Sequence, residues 1–269
     1  MERSDQRRVA AWDALAEANL CASLAMLPGA EVADTPHAYR VHTPVPHSSC
    51  NPVVARHLPT GDALAALIAE TRAYYAARGT PYRWYLTPRT TPDGIGDAFV
   101  AHGFTRRATG NMAVDLAALP EAASLPDDCT IAEVHGAPQW TAWCRTFAAG
   151  YGLPTAIEDP LLRALSVLPA GPGTPLRHYL ARLGGAPVAT ATLLLAGGAA
   201  GIYWVATVPE ARGRGIGAAV TLAALRAGRA DGMGVGVLQS TAMGASVYRR
   251  LDFVDCPVWE CLEEPTQDA

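Results

Sequence analysis

Gly201-Ile-Tyr-Trp-Val-Ala-Thr-Val208, then Pro209-Glu210-Ala211, then Arg212-Gly213-Arg214-Gly215-Ile216-Gly217 is the stretch whose reading decides the fold. Its opening run is apolar and β-prone, as a buried strand requires. Pro209 has no N–H to give a sheet ladder, so the strand is expected to end there. Glycines at alternate positions let the backbone take positive φ and approach a ligand closely. The following Ala218-Ala-Val-Thr-Leu-Ala-Ala-Leu-Arg-Ala-Gly-Arg-Ala230 is a strong helix former. Strand, glycine loop and helix N-terminus then aim free N–H groups and the positive end of the helix dipole at one spot, which suits a phosphate anion. Arg212 and Arg214 add positive charge and bidentate donors.

Two ligands could use such a loop. Gly213-x-Gly215-x-x-Ala218 fits the dinucleotide pattern, which also needs an acidic residue about 20 positions on, at the end of the next strand. The next strand-like run, Val235-Gly-Val-Leu-Gln-Ser240, ends in Gln239, Ser240 and Thr241, so the acid that would hold a ribose is missing. That counts against a nicotinamide-dependent oxidoreductase. Read instead as Arg212-x-x-Gly215-x-Gly217 behind a Val-Pro strand end, the loop resembles the pyrophosphate loop of the GNAT family of acyl-CoA N-acyltransferases. Leu238-Gln-Ser-Thr-Ala-Met-Gly-Ala-Ser-Val-Tyr248-Arg-Arg-Leu-Asp-Phe253 resembles the later strand and helix of the same family, with its "L-Y-x-x-L-G-F" signature. Met243 stands near where many members carry Asn, and Asp252 replaces the usual glycine of that signature. Asp tolerates the left-handed region, so the second change is expected only to reshape a turn.

The 269 residues are half hydrophobic and 17% charged, enough to bury a core in one large domain or two ordinary ones. A net charge of −4 argues against general nucleic-acid binding. All 21 basic residues are arginine, which reads as coding bias rather than function. Cys21, Cys50, Cys129, Cys144, Cys256 and Cys261 form no C-x-x-C pair and match no zinc module, so reduced thiols and a cytoplasmic protein are expected. Neither a signal core nor a membrane-length apolar run is present. His42, His47, Cys50 and His57 fall in one proline-broken segment, and loop histidines without a metal are the expectation.

Taken in order, Val9 to Leu27 has helical spacing and ends at Pro28-Gly29. A short strand over Ala38 to Thr43 follows, and Pro44 to Pro59 is expected to be a loop or an irregular edge. Asp62 to Arg78 is a second helix, Tyr82 to Leu86 a strand, Asp93 to His102 a short helix, and Asn111 to Leu116 another strand. This order mirrors the C-terminal end of the chain, where Gly217–Ala230, Gly234–Ser240, Gly244–Leu251 and Val258–Leu262 alternate in the same way. Ala117 to Asp128 reads as a linker. Beyond it come a strand at Thr130–Val134, a helix at Pro138–Gly150, a short helix at Asp159–Leu168, a loop from Pro169, and a hairpin of His178–Leu183 with Val188–Leu195. The expected architecture is a mixed α/β (α+β) sheet protein with two GNAT-like halves, each a mostly antiparallel sheet flanked by helices. Residues 1–118 would form a degenerate half and 126–264 the acyl-CoA-binding, catalytic half. Pro59-Thr-Gly61 replaces the glycine-arginine loop in the first half. Thr43-Pro-Val-Pro-His-Ser-Ser-Cys-Asn51-Pro resembles a segment of bacterial tandem GNAT proteins with a degenerate first half.

The resemblance implies direct transfer of an acetyl group from acetyl-CoA to a primary amine on a small molecule or peptide. No nucleic acid, membrane or metal is expected to take part, and the protein would be a monomer or homodimer. It implies that Val205, Thr207 and Val208 flank the pantetheine arm, with an N–H of Thr207 or Val208 facing the thioester oxygen. Arg212, Gly213, Arg214, Gly215, Ile216, Gly217 and Ala218 would cradle the pyrophosphate, and Thr241, Met243 and Tyr248 would border the cofactor. Tyr248 is the candidate general acid, since a phenol stays protonated at neutral pH and can hand a proton to a thiolate. The general base is open among Glu133, Glu158, Asp159, His178 and a water chain, with Glu158 and Asp159 in the region of the acceptor wall. A non-catalytic acyl-CoA binding or sensing protein is the alternative.

Overall fold

Apolar β-prone runs separated by glycine turns build most of the sheet, and amphipathic helices cover both of its faces. The computed structural model describes residues 3–27, 29–121, 123–153, 163 and 173–265. The chain begins with α1 (Arg3–Ala25), then β1 (Glu31–Asp34), β2 (Ala38–His42) and β3 (Pro52–Ala55). Helix α2 (Gly61–Ala76), β4 (Arg83–Leu86), α3 (Gly96–Ala101) and β5 (Thr105–Asp115) complete the first half. The second half runs β6 (Cys129–Glu133), α4 (Gly136–Tyr151), β7 (Leu176–Leu183), β8 (Ala186–Ala196), β9 (Ala199–Thr207), α5 (Ile216–Ala230), β10 (Val235–Ser240), α6 (Ala242–Arg249), β11 (Val254–Asp255) and β12 (Trp259–Glu263). The short helix read at Asp159–Leu168 and most of the loop after it lie outside the described residues.

The strands form one mixed sheet in the order β1-β2-β3-β4-β12-β5-β10-β9-β8-β7-β6, with β11 beside β5. The two halves are therefore joined by hydrogen bonds and exchange their last strands. β5 of the first half pairs with β10, and β12 of the second lies between β4 and β5. A boundary at 118/126 does not separate two ladders. Helix α1 crosses it too, because Trp12, Ala16 and Leu20 share a core with Trp143, Leu194 and Val237. Trp259 of β12 is fully buried, and its indole N–H donates to the buried Asp13 carboxylate of α1 at 2.8 Å. Burying one such aromatic contributes on the order of 1.5–3 kcal/mol, so the exchange is held by core as well as by ladder.

β1 falls in a stretch to which the sequence assigns no element, and β3 falls in the segment read as loop or irregular edge. β1 is short, exposed and carries acidic residues at both ends, so it shows no apolar alternation. β3 opens on Pro52, which is tolerated as a first strand residue, and its four residues are all buried. The remaining histidine-rich segment is loop apart from one 3₁₀ turn at Ser48–Cys50. His47 Nδ1 accepts from the Ser49 N–H at 3.2 Å, and His57 Nδ1 lies 2.9 Å from Thr91 Oγ1. Among the described residues no cluster of His, Cys, Asp or Glu is placed to hold a metal ion. None of the six cysteines forms a disulfide, and among the described residues no helix is long and apolar enough to cross a membrane.

Candidate active site

The cleft arises because two parallel neighbours separate. β9 and β10 pair at Ala200↔Gly236 and Gly201↔Val237, then diverge. A bulge in β9 adds to the splay: between Thr192↔Tyr203 and Thr190↔Ala206, β9 takes one more residue than β8. Trp204, inside the bulge, has φ 50°. A cavity of about 910 Å³ opens between the strand ends. Its walls are Val205 to Thr207, the loop before α5, Gln239, the outer face of α6, and Gly150-Tyr151 at the end of α4. The linker supplies a further wall through Pro120, Ala123 and Ser124.

The glycine loop has the backbone shape that the sequence suggests. Gly213 and Gly215 take φ 74° and 78°, where a side chain would be strained. Gly215 is the N-cap of α5, no side chain caps the helix, and no acidic residue sits in its first turn. The first N–H groups of an α-helix have no acceptor within it. Those of Ile216, Gly217 and Ala218 therefore stand at the floor of the cleft, at the positive end of the dipole. An acyl-CoA pyrophosphate fits this donor set.

Three of these residues are placed differently from one another. Arg212 lines the cleft and also braces the protein: its Nε–H donates to the Thr207 carbonyl at 3.0 Å and its Nη2 to the Gly150 carbonyl at 2.8 Å. That ties the end of β9 to the end of α4 and uses part of the guanidinium fork. Arg214 is exposed and does not line the cleft. Val208 does not line it either, and its N–H is spent on the Val188 carbonyl at 3.0 Å. Successive N–H groups of a strand point to opposite sides, so the Thr207 N–H is the one turned away from β8.

Tyr248 lies on α6, which Thr241 caps by accepting from the Gly244 N–H at 3.1 Å. The Tyr248 ring packs on Phe253 with centroids 5.7 Å apart and is nine-tenths buried while still lining the cleft. Its hydroxyl has no hydrogen-bond partner among the described residues. Burial pushes the phenol well above its usual pKa, so it is a neutral O–H donor. Met243 borders the cleft as an exposed side chain. Asp252 takes φ 62°, the left-handed turn in which the family signature has glycine.

The base candidates separate. Glu133 sits on β6 at the sheet edge, paired in register with Tyr179, away from the cleft. His178 is buried against Trp140, Trp143 and Trp204, with Nδ1 2.7 Å from Thr192 Oγ1. Burial lowers its pKa to about 3, which makes it a poor proton acceptor near neutrality. Glu158 and Asp159 lie outside the described residues. The described residues of the cleft wall include no carboxylate or imidazole.

The equivalent notch of the first half is closed. β3 and β4 are parallel as β9 and β10 are, but their continuations are stitched: Leu58 N–H donates to the Thr91 carbonyl at 2.7 Å and Thr91 N–H to the Arg56 carbonyl at 2.8 Å. Helix α2 also carries Asp62 in its first turn, which disfavours an anion there.

Residues 175–255, from β7 through α6 to β11, match the family model of the acetyltransferase (GNAT) domain. This segment of the second half is similar in sequence to a GNAT domain. The matched span contains the glycine loop and Tyr248. Among solved structures, a GCN5-related N-acetyltransferase from Kribbella flavida is 22% identical, with 94% of this chain and 95% of that one covered and a TM-score of 0.72. Another from Sphaerobacter thermophilus is 17% identical over 87% of this chain and 75% of that one, TM-score 0.62. A tandem GNAT protein from the clavulanic acid biosynthesis pathway is 13% identical over 99% and 97%, TM-score 0.58. These similarities are of fold, and the tandem protein carries it across both halves. No curated protein matches the chain in sequence.

Proposed function

We propose that the protein is an N-acyltransferase that moves an acetyl group from acetyl-CoA directly to a primary amine, using only its second half. The observation that carries this reading is the splayed β9/β10 pair, with an uncapped, glycine-lined helix N-terminus at one side of the cleft and the Tyr248 phenol at the other. When bound, acetyl-CoA would supply the activated thioester. The N–H groups of the α5 first turn would hold the pyrophosphate. The Thr207 N–H would polarise the acyl carbonyl; as the amine nitrogen bonds to that carbon and the C–S bond breaks, Tyr248 Oη would give its proton to the leaving sulfur, and the proton shed by the nitrogen would pass through water and restore the phenol. Arg212 would keep the β9 end fixed against α4 while this happens.

The absence of a carboxylate or imidazole from the described cleft wall favours the second reading, a protein that binds acyl-CoA without turning it over. Release of free CoA thiol from acetyl-CoA across a panel of small amines and peptides separates the two. Amine-dependent release supports the transferase. Saturable acetyl-CoA binding with no release from any amine supports the binding protein.

A further inference from the structure

We infer that Asn19, on the N-terminal helix α1, is a positioning residue for the GNAT cleft, holding the β9 bulge in shape from the sheet face opposite α5. The kinetic part of this inference rests on the acyltransferase reading above; the structural part does not.

Asn19 is fully buried. Its amide donates to the carbonyls of Ala196 at 2.7 Å, Ala199 at 3.0 Å and Leu194 at 3.3 Å, spanning the β8–β9 turn. Its Oδ1 accepts the Tyr203 hydroxyl at 2.7 Å. The sheet is shaped to admit it: a Cβ on Gly201 would lie 1.9 Å from Asn19 Oδ1. The turn fits α1 as closely, since a Cβ on Gly197 would lie 2.9 Å from the Asn19 nitrogen. Tyr203 directly precedes Trp204, whose φ of 50° is rare for a bulky residue and persists only where its surroundings hold it. Thr190 Oγ1 holds the Trp204 carbonyl at 2.9 Å from the β8 side. Asn19 holds the preceding residue from the α1 side. The next residues, Val205 and Thr207, form the cleft wall. A contact in the first half thus fixes where the second half presents its Thr207 N–H, and the first half supports the site without lining it.

The test uses the full chain with Tyr203→Phe, Asn19→Ala, both together, and Leu24→Ala as a control that loosens α1 elsewhere. Amide exchange of residues 202–208 is measured, together with kcat and the Michaelis constant for acetyl-CoA with the best amine of the panel. Tyr203→Phe should speed exchange in that segment and lower kcat by about tenfold, and Asn19→Ala by about 10²-fold, the scale of a misplacement near 1 Å. The Michaelis constant should stay within about twofold, because the glycine loop lies on the other face. The double variant should be no worse than Asn19→Ala, as expected of two ends of one bond. Leu24→Ala should lower Tm without either effect. Unchanged exchange and kcat in Tyr203→Phe would overturn the inference even if Asn19→Ala fails to fold. A wild-type protein that acetylates no amine would fell the transferase reading, and the exchange measurement would still decide the role of Asn19.

Discussion

Replacing Gly215 by valine strains the backbone of the loop and drives a side chain into the linker at the edge of the cleft. Gly215 has φ 78°, and a Cβ there would lie 2.9 Å from the Ser124 carbonyl oxygen of the linker. Gly213 has φ 74° with open space around its Cβ. Gly213→Ala therefore imposes backbone strain without obstruction, whereas Gly215→Val imposes both. The strain alone is worth roughly 1–3 kcal/mol. At about 2–4 °C per kcal/mol for a chain near this size, both variants should melt lower without ligand by a few degrees or more. Acetyl-CoA at a hundredfold excess over Kd should stabilise the wild type by about 2.7 kcal/mol, or about 5–10 °C. In a thermal-shift titration Gly213→Ala should keep most of that rise and Gly215→Val should lose it. A full rise in Gly215→Val would place the phosphates elsewhere and refute the cradle. Equal loss in both would mean that the loop conformation matters and the space over Gly215 does not.

Tyr248→Phe keeps the packing on Phe253 and removes one hydroxyl, so kcat should fall by ~10²–10⁴ with little change in the Michaelis constant for acetyl-CoA; turnover within a few-fold of wild type would end the general-acid assignment. Calorimetry should find one acetyl-CoA per chain, given the stitched β3/β4 notch and Asp62 at the α2 N-terminus; two equivalent sites would refute a degenerate first half. His178 has a folded pKa of about 3, below its ordinary value. Between that ordinary value and pH 3 the unfolded chain binds the extra proton, so this residue costs about 1.4 kcal/mol of stability per pH unit as pH falls. His178→Phe should flatten the decline of the denaturation midpoint between pH 6.5 and 5, and an unaltered slope would show that the ring is solvated in the folded protein.

The second half was legible because its signals are local. Gly213 and Gly215 mark positive φ, Pro209 marks the strand end, and the α5 and Tyr248 segments keep helical order over short distances. The first half was harder for the same reason. β1 and β3 are too short to show a period, and β3 begins on a proline. The strand exchange could not be read at all, because nothing in Trp259-Glu-Cys-Leu-Glu263 says which half it will pair with. For Arg212, sequence shows the charge and hides the carbonyls of Thr207 and Gly150 that it also holds. The linker wall at Ser124 and the reach of Asn19 to Tyr203 are likewise tertiary facts. The Gly201 that makes room for Asn19 was visible, but as one more apolar strand residue.

A crystal structure of the protein grown with acetyl-CoA tests the cleft most directly. The pyrophosphate should lie on the N–H groups of Ile216 to Ala218, with the thioester oxygen at the Thr207 N–H and the sulfur within reach of Tyr248 Oη. Acetyl-CoA bound in the first half near Gly61, or with its phosphates away from the α5 N-terminus, would contradict it.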